Sequence, residues 1–259
     1  MQQEQVAVIT GASSGLGAAV AEGLARQGWS LVIDGRDPGP LATEEERLGA
    51  IHTEAGDASH QGAVSVTGVA GDVADPEHRR QLTATVRSLG RVDLVVLNAS
   101  ILGPSPQPQL ADYPLDVLRA VYEVNTIAPL AILQDLTPWL REAPAPRVIA
   151  VTSDAAIEPY AGWGGYGSSK AALEQISAIW GAEQPWCRTW TVDPGDLRTR
   201  LHQQAFPGED ISDRPEPETV VPAVLTLIGS DRASGRVRLA DITRHPSGEH
   251  PSGQTESGR

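Results

Sequence analysis

Lysine is nearly absent from this chain. Its 20 basic side chains include a single lysine, Lys170, and all the others are arginine. A drift towards arginine, alanine, glycine and proline is typical of a GC-rich coding bias. A lysine that survives this drift indicates a position where arginine cannot act, because lysine is a compact ammonium whose pKa can be tuned, whereas arginine is a rigid and permanently charged fork.

Cysteine, basic patches and long apolar runs are also scarce. Cys187 is the only cysteine, which excludes an intrachain disulfide and a thiolate metal cluster, and the apolar run around it predicts a small buried side chain. The net charge of -13, with no basic stripe, argues against nucleic acid or an anionic membrane as a partner. No apolar run has spanning length and no leader pattern is seen, so we expect a soluble, cytoplasmic protein.

A metal site is not expected either. The 6 histidines have no metal-ligand spacing with each other or with carboxylates. The sequence therefore predicts no catalytic metal.

Apolar, strand-like runs alternate with helical stretches along the 259 residues. This alternation is typical of a doubly wound parallel β-sheet with helices on both faces. The first five runs show little polar alternation, which predicts strands covered on both faces. The predicted strands are Val6–Thr10, Leu31–Asp34, Val66–Val69, Val92–Asn98, Val148–Ser153, Thr189–Val192 and Val237–Ala240.

Five helices are predicted between the strands, and the second of them, with three consecutive glutamates, is expected to be solvated. They are Gly15–Gln27, Leu41–Ala55, Pro76–Leu89, Asp112–Leu140 with an interruption at Pro129, and Tyr166–Gly181.

No linker or repeat divides the chain, so residues 1–243 form one predicted domain. Residues 244–259 are rich in His, Pro, Ser and Gly, which predicts a disordered tail.

Lys170 stands four residues after Tyr166, so the two share one face of the predicted helix. A neighbouring ammonium favours the ionised form of a phenol, whose ordinary pKa is about 10. The pair is therefore typical of a tyrosine prepared for proton transfer near neutral pH. Taken alone, it could equally be a surface tyrosine beside a surface lysine.

A glycine-rich turn joins the first strand to an alanine-rich helix. Its sequence is TGASSGLG, from Thr10 to Gly17. Glycines let the backbone approach a pyrophosphate, and the helix N-terminus offers N–H donors and a positive dipole end. The strand–turn–helix context favours dinucleotide binding over an ordinary turn.

With these motifs the chain resembles the short-chain dehydrogenase/reductase family from Val6 to about Ala240. The TGxxxGxG motif is matched by Thr10, Gly11, Gly15 and Gly17. Matches to the other family motifs follow in the same order: Asp72 after strand three, Asn98 and Ala99 after strand four, Asn125, Ser153, Tyr166, Lys170, and Pro194, Gly195 and Thr199 after strand six.

The resemblance implies an oxidoreductase that moves a hydride between a nicotinamide cofactor and a small alcohol or ketone. It implies that Tyr166 is the general acid/base, that Lys170 lowers its pKa and holds the nicotinamide ribose, that Ser153 orients the substrate oxygen, and that Asn125 holds a water through a break in its helix. The implied cofactor site consists of Gly11, Ser13, Ser14, Gly15, Leu16, Gly17, Arg36, Asp72, Val73, Asn98, Ala99, Ser100, Tyr166, Lys170, Pro194, Gly195, Leu197 and Thr199.

The chain departs from the family motif NNAG at two positions, Leu97 and Ser100. Ser100 replaces a glycine where backbone normally passes close to the cofactor. We expect a small local shift and retained binding.

The choice between NAD(H) and NADP(H) depends on the end of the second strand. The family's NAD-selecting acid would fall at Gly35, and Arg36 follows, which favours a 2′-phosphate and thus NADP(H). Asp34 and Asp37 flank the arginine and could repel the phosphate or bind the ribose instead. Ser14 also stands where many NADP-dependent members carry a second basic residue.

The sequence leaves the substrate open. Pocket candidates follow the strand ends: Ile101, Leu102, 154–157, Tyr160, Trp163, Asp196, Leu197 and 201–217. Arg198, Arg200 and His202 could attract an acidic substrate, although the sequence favours solvated surface charge for them.

Two other functions compete with a dehydrogenase. A silent dinucleotide sensor could keep the fold, although such proteins usually lose the tyrosine or the lysine. An epimerase or dehydratase usually has a larger C-terminal domain.

The apolar residues of the helices in 112–140 and 166–181 recur at helical spacing, which predicts a homodimer or homotetramer.

Overall fold

The computed structural model describes residues 4–54 and 65–242. At its centre is a sheet of 7 parallel strands in the order β3-β2-β1-β4-β5-β6-β7. They are β1 (Val6–Ile9), β2 (Ser30–Gly35), β3 (Val66–Ala70), β4 (Leu94–Leu97), β5 (Arg147–Val151), β6 (Arg188–Asp193) and β7 (Gly235–Arg238). All seven strands overlap the predicted ones, and the doubly wound α/β fold is confirmed. The predicted seventh strand is wrong in its second half, since Leu239 and Ala240 belong to a helix.

The central strands are apolar because both faces of the sheet are covered. Every residue of β1, β2 and β4 is buried. The prediction of full burial is wrong for β3, which is mostly half-exposed because it lies at the sheet edge.

Helices pack on both faces of the sheet. The described helices are α1 (Gly15–Arg26), α2 (Pro38–Glu54), α3 (Pro76–Leu89), α4 (Leu115–Tyr122), α5 (Ala128–Leu140), α6 (Gly164–Glu183), α7 (Arg200–Ala205), α8 (Val221–Gly229) and α9 (Leu239–Ile242). Apolar residues of α1, α2 and α8 form one core with the sheet, and those of α3, α5 and α6 form the other. The sequence prediction omitted α7, α8 and α9.

The long helix predicted over Asp112–Leu140 is divided. A 3₁₀ turn at Leu110–Asp112 precedes α4, and a π-helical turn at Glu123–Ile127 separates α4 from α5. Pro129 is the physical reason for the break, since its missing N–H cannot bond to the carbonyl of Asn125, four residues back. The break lies on the N-terminal side of Pro129, and Asn125 is inside it.

Two predictions about single residues have different outcomes. Cys187 is 1% exposed, as the apolar run around it predicts. The expected solvated helix is wrong at Glu44, which is 8% exposed and forms an ion pair with Arg47 at 2.7 Å. Residue 55 and the predicted tail at 244–259 lie outside the described residues.

The strand order reverses between β1 and β4, which are neighbours in the sheet but continue outward in opposite directions. In open α/β sheets, ligands bind at such a point, in the crevice beyond the carboxyl ends of the strands. Here the glycine-rich turn follows β1 and the segment from Asn98 follows β4.

No helix within the described residues is long and apolar enough to cross a membrane.

Candidate active site

A cleft of about 880 Å³ opens beyond the carboxyl ends of the strands. All but one of the residues that the sequence assigns to a cofactor line it: Gly11, Ser13, Ser14, Gly15, Leu16, Arg36, Asp72, Val73, Asn98, Ala99, Ser100, Tyr166, Lys170, Pro194, Gly195, Leu197 and Thr199. The exception, Gly17, packs against Gly11 and Asn98 instead.

The glycine-rich turn requires glycine at three positions, two because of their backbone angles and one because of lack of space. Gly11 and Gly15 adopt φ of 64° and 58°, the left-handed region that favours glycine. A Cβ on Gly17 would lie 2.4 Å from the carbonyl oxygen of Gly11. These glycines therefore shape a concave turn that exposes backbone N–H groups at the start of α1, a suitable environment for phosphate.

Thr10 and Asn98 join this turn to the segment after β4. The amide of Asn98 donates to the carbonyl oxygens of Thr10 at 2.9 Å and Gly11 at 3.0 Å. In return, the hydroxyl of Thr10 accepts from the N–H groups of Asn98 at 2.9 Å and Ala99 at 3.0 Å. Asn98 thus serves to hold the wall of the cleft together.

Asp34 lines the cleft, but its carboxylate has partners within the protein. Its carboxylate is buried, with Oδ1 accepting from Gly11 N at 2.7 Å and Oδ2 lying 2.6 Å from His78 Nε2. Both carboxylate oxygens thus have protein partners, which argues against the ribose role. The repulsion of a phosphate by Asp34 stays a prediction. His78 was missed in the sequence, although it shares a helix face with the buried residues Leu82 and Val86.

The end of β2 leaves little space for the acid typical of NAD sites. A Cβ on Gly35 would lie 2.9 Å from Ser13 Cβ. Arg36 and Asp37 are exposed at the rim of the cleft, and within residues 4–54 and 65–242 no ion pair involves Arg36. Asp72 is partly committed to its own loop, where its side chain accepts from Ala74 N at 2.9 Å.

Tyr166 and Lys170 lie one turn apart on α6 and are 6% and 1% exposed. Lys170 Nζ is 5.6 Å from the centre of the Tyr166 ring and donates to the carbonyl oxygen of Val151 at 2.9 Å. An ammonium has three donors, so two remain for a ligand in this part of the cleft. The surface-pair alternative is excluded by burial.

Burial determines the protonation of both groups. It raises the pKa of Tyr166 well above that of a free phenol, with smaller contributions from a hydrogen bond to Ser100, which lowers it, and from Asp154 and Asp193, which raise it. Burial lowers the pKa of Lys170 to about 8. In the protein alone, Tyr166 is therefore a neutral phenol at neutral pH.

Ser153 follows β5 and lines the same cleft as Tyr166. Its hydroxyl donates to Asp154 Oδ1 at 2.9 Å and accepts from Ala155 N at 3.2 Å. The hydroxyl is thus turned towards its own neighbours, and it must rotate to donate to a ligand.

Asn125 lies behind the cleft and is completely buried. Its amide nitrogen donates to Ile101 O at 2.9 Å and Ser169 Oγ at 3.0 Å. Its amide oxygen accepts from Ile101 N at 2.9 Å and Ser100 Oγ at 3.1 Å. These bonds tie the π-helical turn to α6 and to the segment after β4, and the sequence did not reveal the bond to Ser100.

The segment after β6 closes one side of the cleft. Gly195 has a φ of 76°, and the Thr199 hydroxyl caps α7 by accepting from His202 N at 3.2 Å. Arg198 is paired with Glu216, which supports the solvated-charge interpretation for this arginine.

An aromatic cluster borders the cleft near Tyr166. The Trp163 ring lies 6.0 Å from the Tyr166 ring and 5.9 Å from the Phe206 ring, and the His202 and Phe206 rings are 4.9 Å apart. Of the predicted pocket candidates, those that line the cleft are Ile101, Leu102, Asp154, Trp163, Asp196, Leu197, Leu201, His202, Gln204 and Ala205, together with Arg200. Ile157 and Tyr160 are exposed outside it.

The family model for short chain dehydrogenases matches residues 5–210. A curated relative, 1-deoxy-11-beta-hydroxypentalenate dehydrogenase of Streptomyces exfoliatus, is 32% identical over 98% of this chain and 94% of its own length.

Two solved structures are similar throughout. An alcohol dehydrogenase from the archaeon Thermococcus sibiricus, complexed with 5-hydroxy-NADP, has a TM-score of 0.78 and 27% identity, covering 91% of this chain and 96% of its own. A short chain dehydrogenase from Shigella flexneri, complexed with NADP, has a TM-score of 0.81 and 26% identity, covering 92% and 98%. This chain therefore belongs to the short-chain dehydrogenase family.

Proposed function

We propose that this protein is an NADP(H)-dependent oxidoreductase that transfers a hydride between the cofactor and a small alcohol/ketone pair. The observation that carries the proposal is the meeting of a buried Tyr166–Lys170 pair and Ser153 with a glycine-rich phosphate turn in one cleft. Family membership and the dehydrogenases among the relatives support it.

The residues present suit a dinucleotide. The close contact between Gly17 and Gly11 produces the concave turn, where N–H groups at the start of α1 would hold the pyrophosphate. Lys170, with two donors to offer, would hold the nicotinamide ribose. When bound, the nicotinamide accepts or donates the hydride.

Tyr166 would transfer the proton at the substrate oxygen. In the direction of reduction, the neutral phenol favoured by burial is the required acid. In the direction of oxidation the phenolate is required, so its pKa must fall in the complex. Lys170, as an ammonium, and the positively charged oxidised nicotinamide both favour the phenolate.

Ser153 and Asn125 would act beside this pair. We assign to Ser153 the orientation of the substrate oxygen, which requires its hydroxyl to leave Asp154. Asn125 would keep the π-helical turn in place. Its backbone carbonyl, to which Pro129 cannot donate, would accept a hydrogen bond from a water leading to Lys170.

NADP(H) is favoured over NAD(H) by the chemistry at the end of β2. An acid at position 35 would crowd Ser13, Asp34 is committed to Gly11 and His78, and Arg36 is free of ion pairs in the described ranges. The relatives complexed with NADP and 5-hydroxy-NADP support the same choice. Two residues still oppose it: Asp37 by its negative charge, and Ser14 because it stands in place of a second basic residue.

The test is a screen of alcohols and carbonyl compounds, followed by nicotinamide absorbance, with Tyr166→Phe as the control. We expect turnover by the wild-type protein. The variant should lose it while dinucleotide affinity stays within a few fold, because only the phenolic oxygen and its proton are removed. A variant that keeps most of its kcat would contradict the role of Tyr166, and dinucleotide binding with no turnover of any substrate would favour a sensor.

A further inference from the structure

Arg236 lies in β7 and is not among the residues that line the cleft. Its Nη2 donates to the carbonyl oxygen of Ser153 at 3.2 Å and to Asp193 Oδ2 at 3.0 Å. Its Nε donates to Glu174 Oε1 at 3.0 Å. The side chains of Arg236, Glu174 and Asp193 are 24%, 17% and 5% exposed. The planar fork of a guanidinium suits such a set of acceptors on different elements.

Glu174 connects this arginine to the helix of the tyrosine–lysine pair. It stands one turn after Lys170 on α6, and its Oε1 also accepts from the Thr152 hydroxyl at 2.6 Å. Lys170 itself donates to the carbonyl oxygen of Val151. Two successive turns of α6 therefore hold two successive residues at the end of β5.

Ser153 is the next residue along the chain. The hydrogen bonds of its hydroxyl, and a second bond to its carbonyl oxygen, stay within residues 153–156. By contrast, the bond from Arg236 ties the backbone of Ser153 to β7, and through Glu174 to α6. The arginine thus links the serine to the helix that carries Tyr166.

We propose that Arg236 is a positioning residue that, together with Glu174, fixes Ser153 relative to the Tyr166–Lys170 pair. It acts through Ser153 and does not touch the substrate or the cofactor. The inference rests on the proposed function, in which Ser153 and Tyr166 act on the same substrate oxygen. A misplacement of about 1 Å can lower a rate about a hundredfold, so a residue outside the cleft can control the chemical step.

Arg236 also reaches the cofactor side of the cleft, and the test must separate this second route. Its partner Asp193 accepts from Gly195 N at 3.0 Å through Oδ1, in the segment after β6. An effect through Asp193 would weaken dinucleotide binding. An effect through Ser153 would lower kcat while dinucleotide binding is retained.

The first experiment measures kcat and the KM for NADPH with the best carbonyl compound from the screen. Arg236→Met replaces the guanidinium by an apolar chain of similar length. We expect kcat to fall about 10- to 100-fold, with the KM for NADPH within a few fold of the wild type. Arg238→Met is the matched control, because Arg238 lies on the same strand, is 63% exposed and is 4.0 Å from Asp193. It should keep kcat within about twofold, since no contact with Ser153 is lost.

A double-mutant cycle with Ser153→Ala distinguishes positioning from a general loss of structure. Single-turnover hydride transfer, with the NADPH complex in excess over substrate, follows slow variants as well. If Arg236 acts through the serine hydroxyl, Arg236→Met should change the residual rate of Ser153→Ala by less than about threefold. An equal loss of rate in both backgrounds would overturn the inference.

Arg236→Met also removes the partner of two largely buried carboxylates, which destabilises the fold. A second variant therefore combines it with Glu174→Gln, whose amide oxygen can still accept from Thr152. Urea unfolding checks that this double variant is folded. We expect it to show the same loss of kcat as Arg236→Met.

A folded double variant with the kcat of the wild type would overturn this inference alone, provided that Tyr166→Phe is inactive. So would a retained kcat with a higher KM for NADPH, because Arg236 would then act through Asp193. An active Tyr166→Phe would overturn the proposed function instead.

Discussion

At the scale of single residues, the one lysine of the chain is also one of its most buried side chains. Lys170 is 1% exposed, and burial lowers its pKa to about 8. A group with this pKa can both hold a proton and release it near neutral pH. Arginine would remain charged at every accessible pH, so burial explains why the coding drift stopped at this position.

Lys170→Arg is therefore expected to be severe despite the conserved charge. The planar guanidinium is larger and cannot both reach the Val151 carbonyl and present point donors to a ribose. We expect kcat to fall by at least a hundredfold, with weaker cofactor binding, measured by steady-state kinetics and cofactor fluorescence. Near-normal activity would mean that the lone lysine is an accident of codon usage.

Arg36 decides the cofactor preference in our proposal. Arg36→Ala should raise the KM for NADPH about tenfold or more, since a charge-assisted contact to phosphate is lost, and should leave the KM for NADH nearly unchanged. Asp37→Asn is the companion variant, because removal of its negative charge should lower the KM for NADPH. Equal effects of Arg36→Ala on both cofactors would argue for NAD(H).

At the scale of elements, the contact between Asp34 and His78 joins three of them. Asp34 is the penultimate residue of β2, holds the glycine-rich turn through Gly11 and accepts from His78 of α3. His78 Nδ1 is buried without a hydrogen-bond partner among the described residues. The proton of the histidine therefore belongs on Nε2, facing the carboxylate.

Asp34→Asn should destabilise this junction, because an amide N–H would replace the oxygen that accepts from His78. Two hydrogen-bond donors would then face each other. Moving the proton to Nδ1 would leave it buried and unpaired. We expect the free energy of unfolding in urea to fall by about 1–3 kcal/mol. A double-mutant cycle with His78→Ala should show a coupling of about 1 kcal/mol or more, whereas additive effects would show that the two residues act separately.

Patterns formed by residues close together in the sequence predicted most of the fold and of the cleft. Glycine spacing, the Tyr166–Lys170 interval and the apolar strand runs require no knowledge of distant contacts. The misses depend on long-range packing: Asp34 pairs with a residue 44 positions away, and Ser100 meets one 25 positions away. The exact position of the break in the helix predicted over 112–140 could be read only from the structure, since Pro129 in the sequence indicates a break nearby but not its limits.

At the scale of the whole molecule, the apolar residues that recur at helical spacing after β4 and β5 are partly buried within the chain and partly exposed. Val121, Leu173 and Trp180 are buried within the chain, whereas Leu115 and Ile179 are 62% and 47% exposed. The two exposed residues belong to α4 and α6, which pack against each other. Exposed apolar residues on two helices that pack against each other are suited to a symmetric contact with a second copy.

We predict that the chain assembles through this surface into a homodimer, or a tetramer built from it. Light scattering at micromolar concentration should give the mass of at least two copies of 27.4 kDa. Leu115→Glu with Ile179→Glu should give a single copy, because the charges would be buried unpaired in the contact. Ile157→Glu, at an exposed apolar residue outside this surface, is the matched control and should keep the assembly. A wild-type mass near that of one copy, unchanged on concentration, would contradict the prediction.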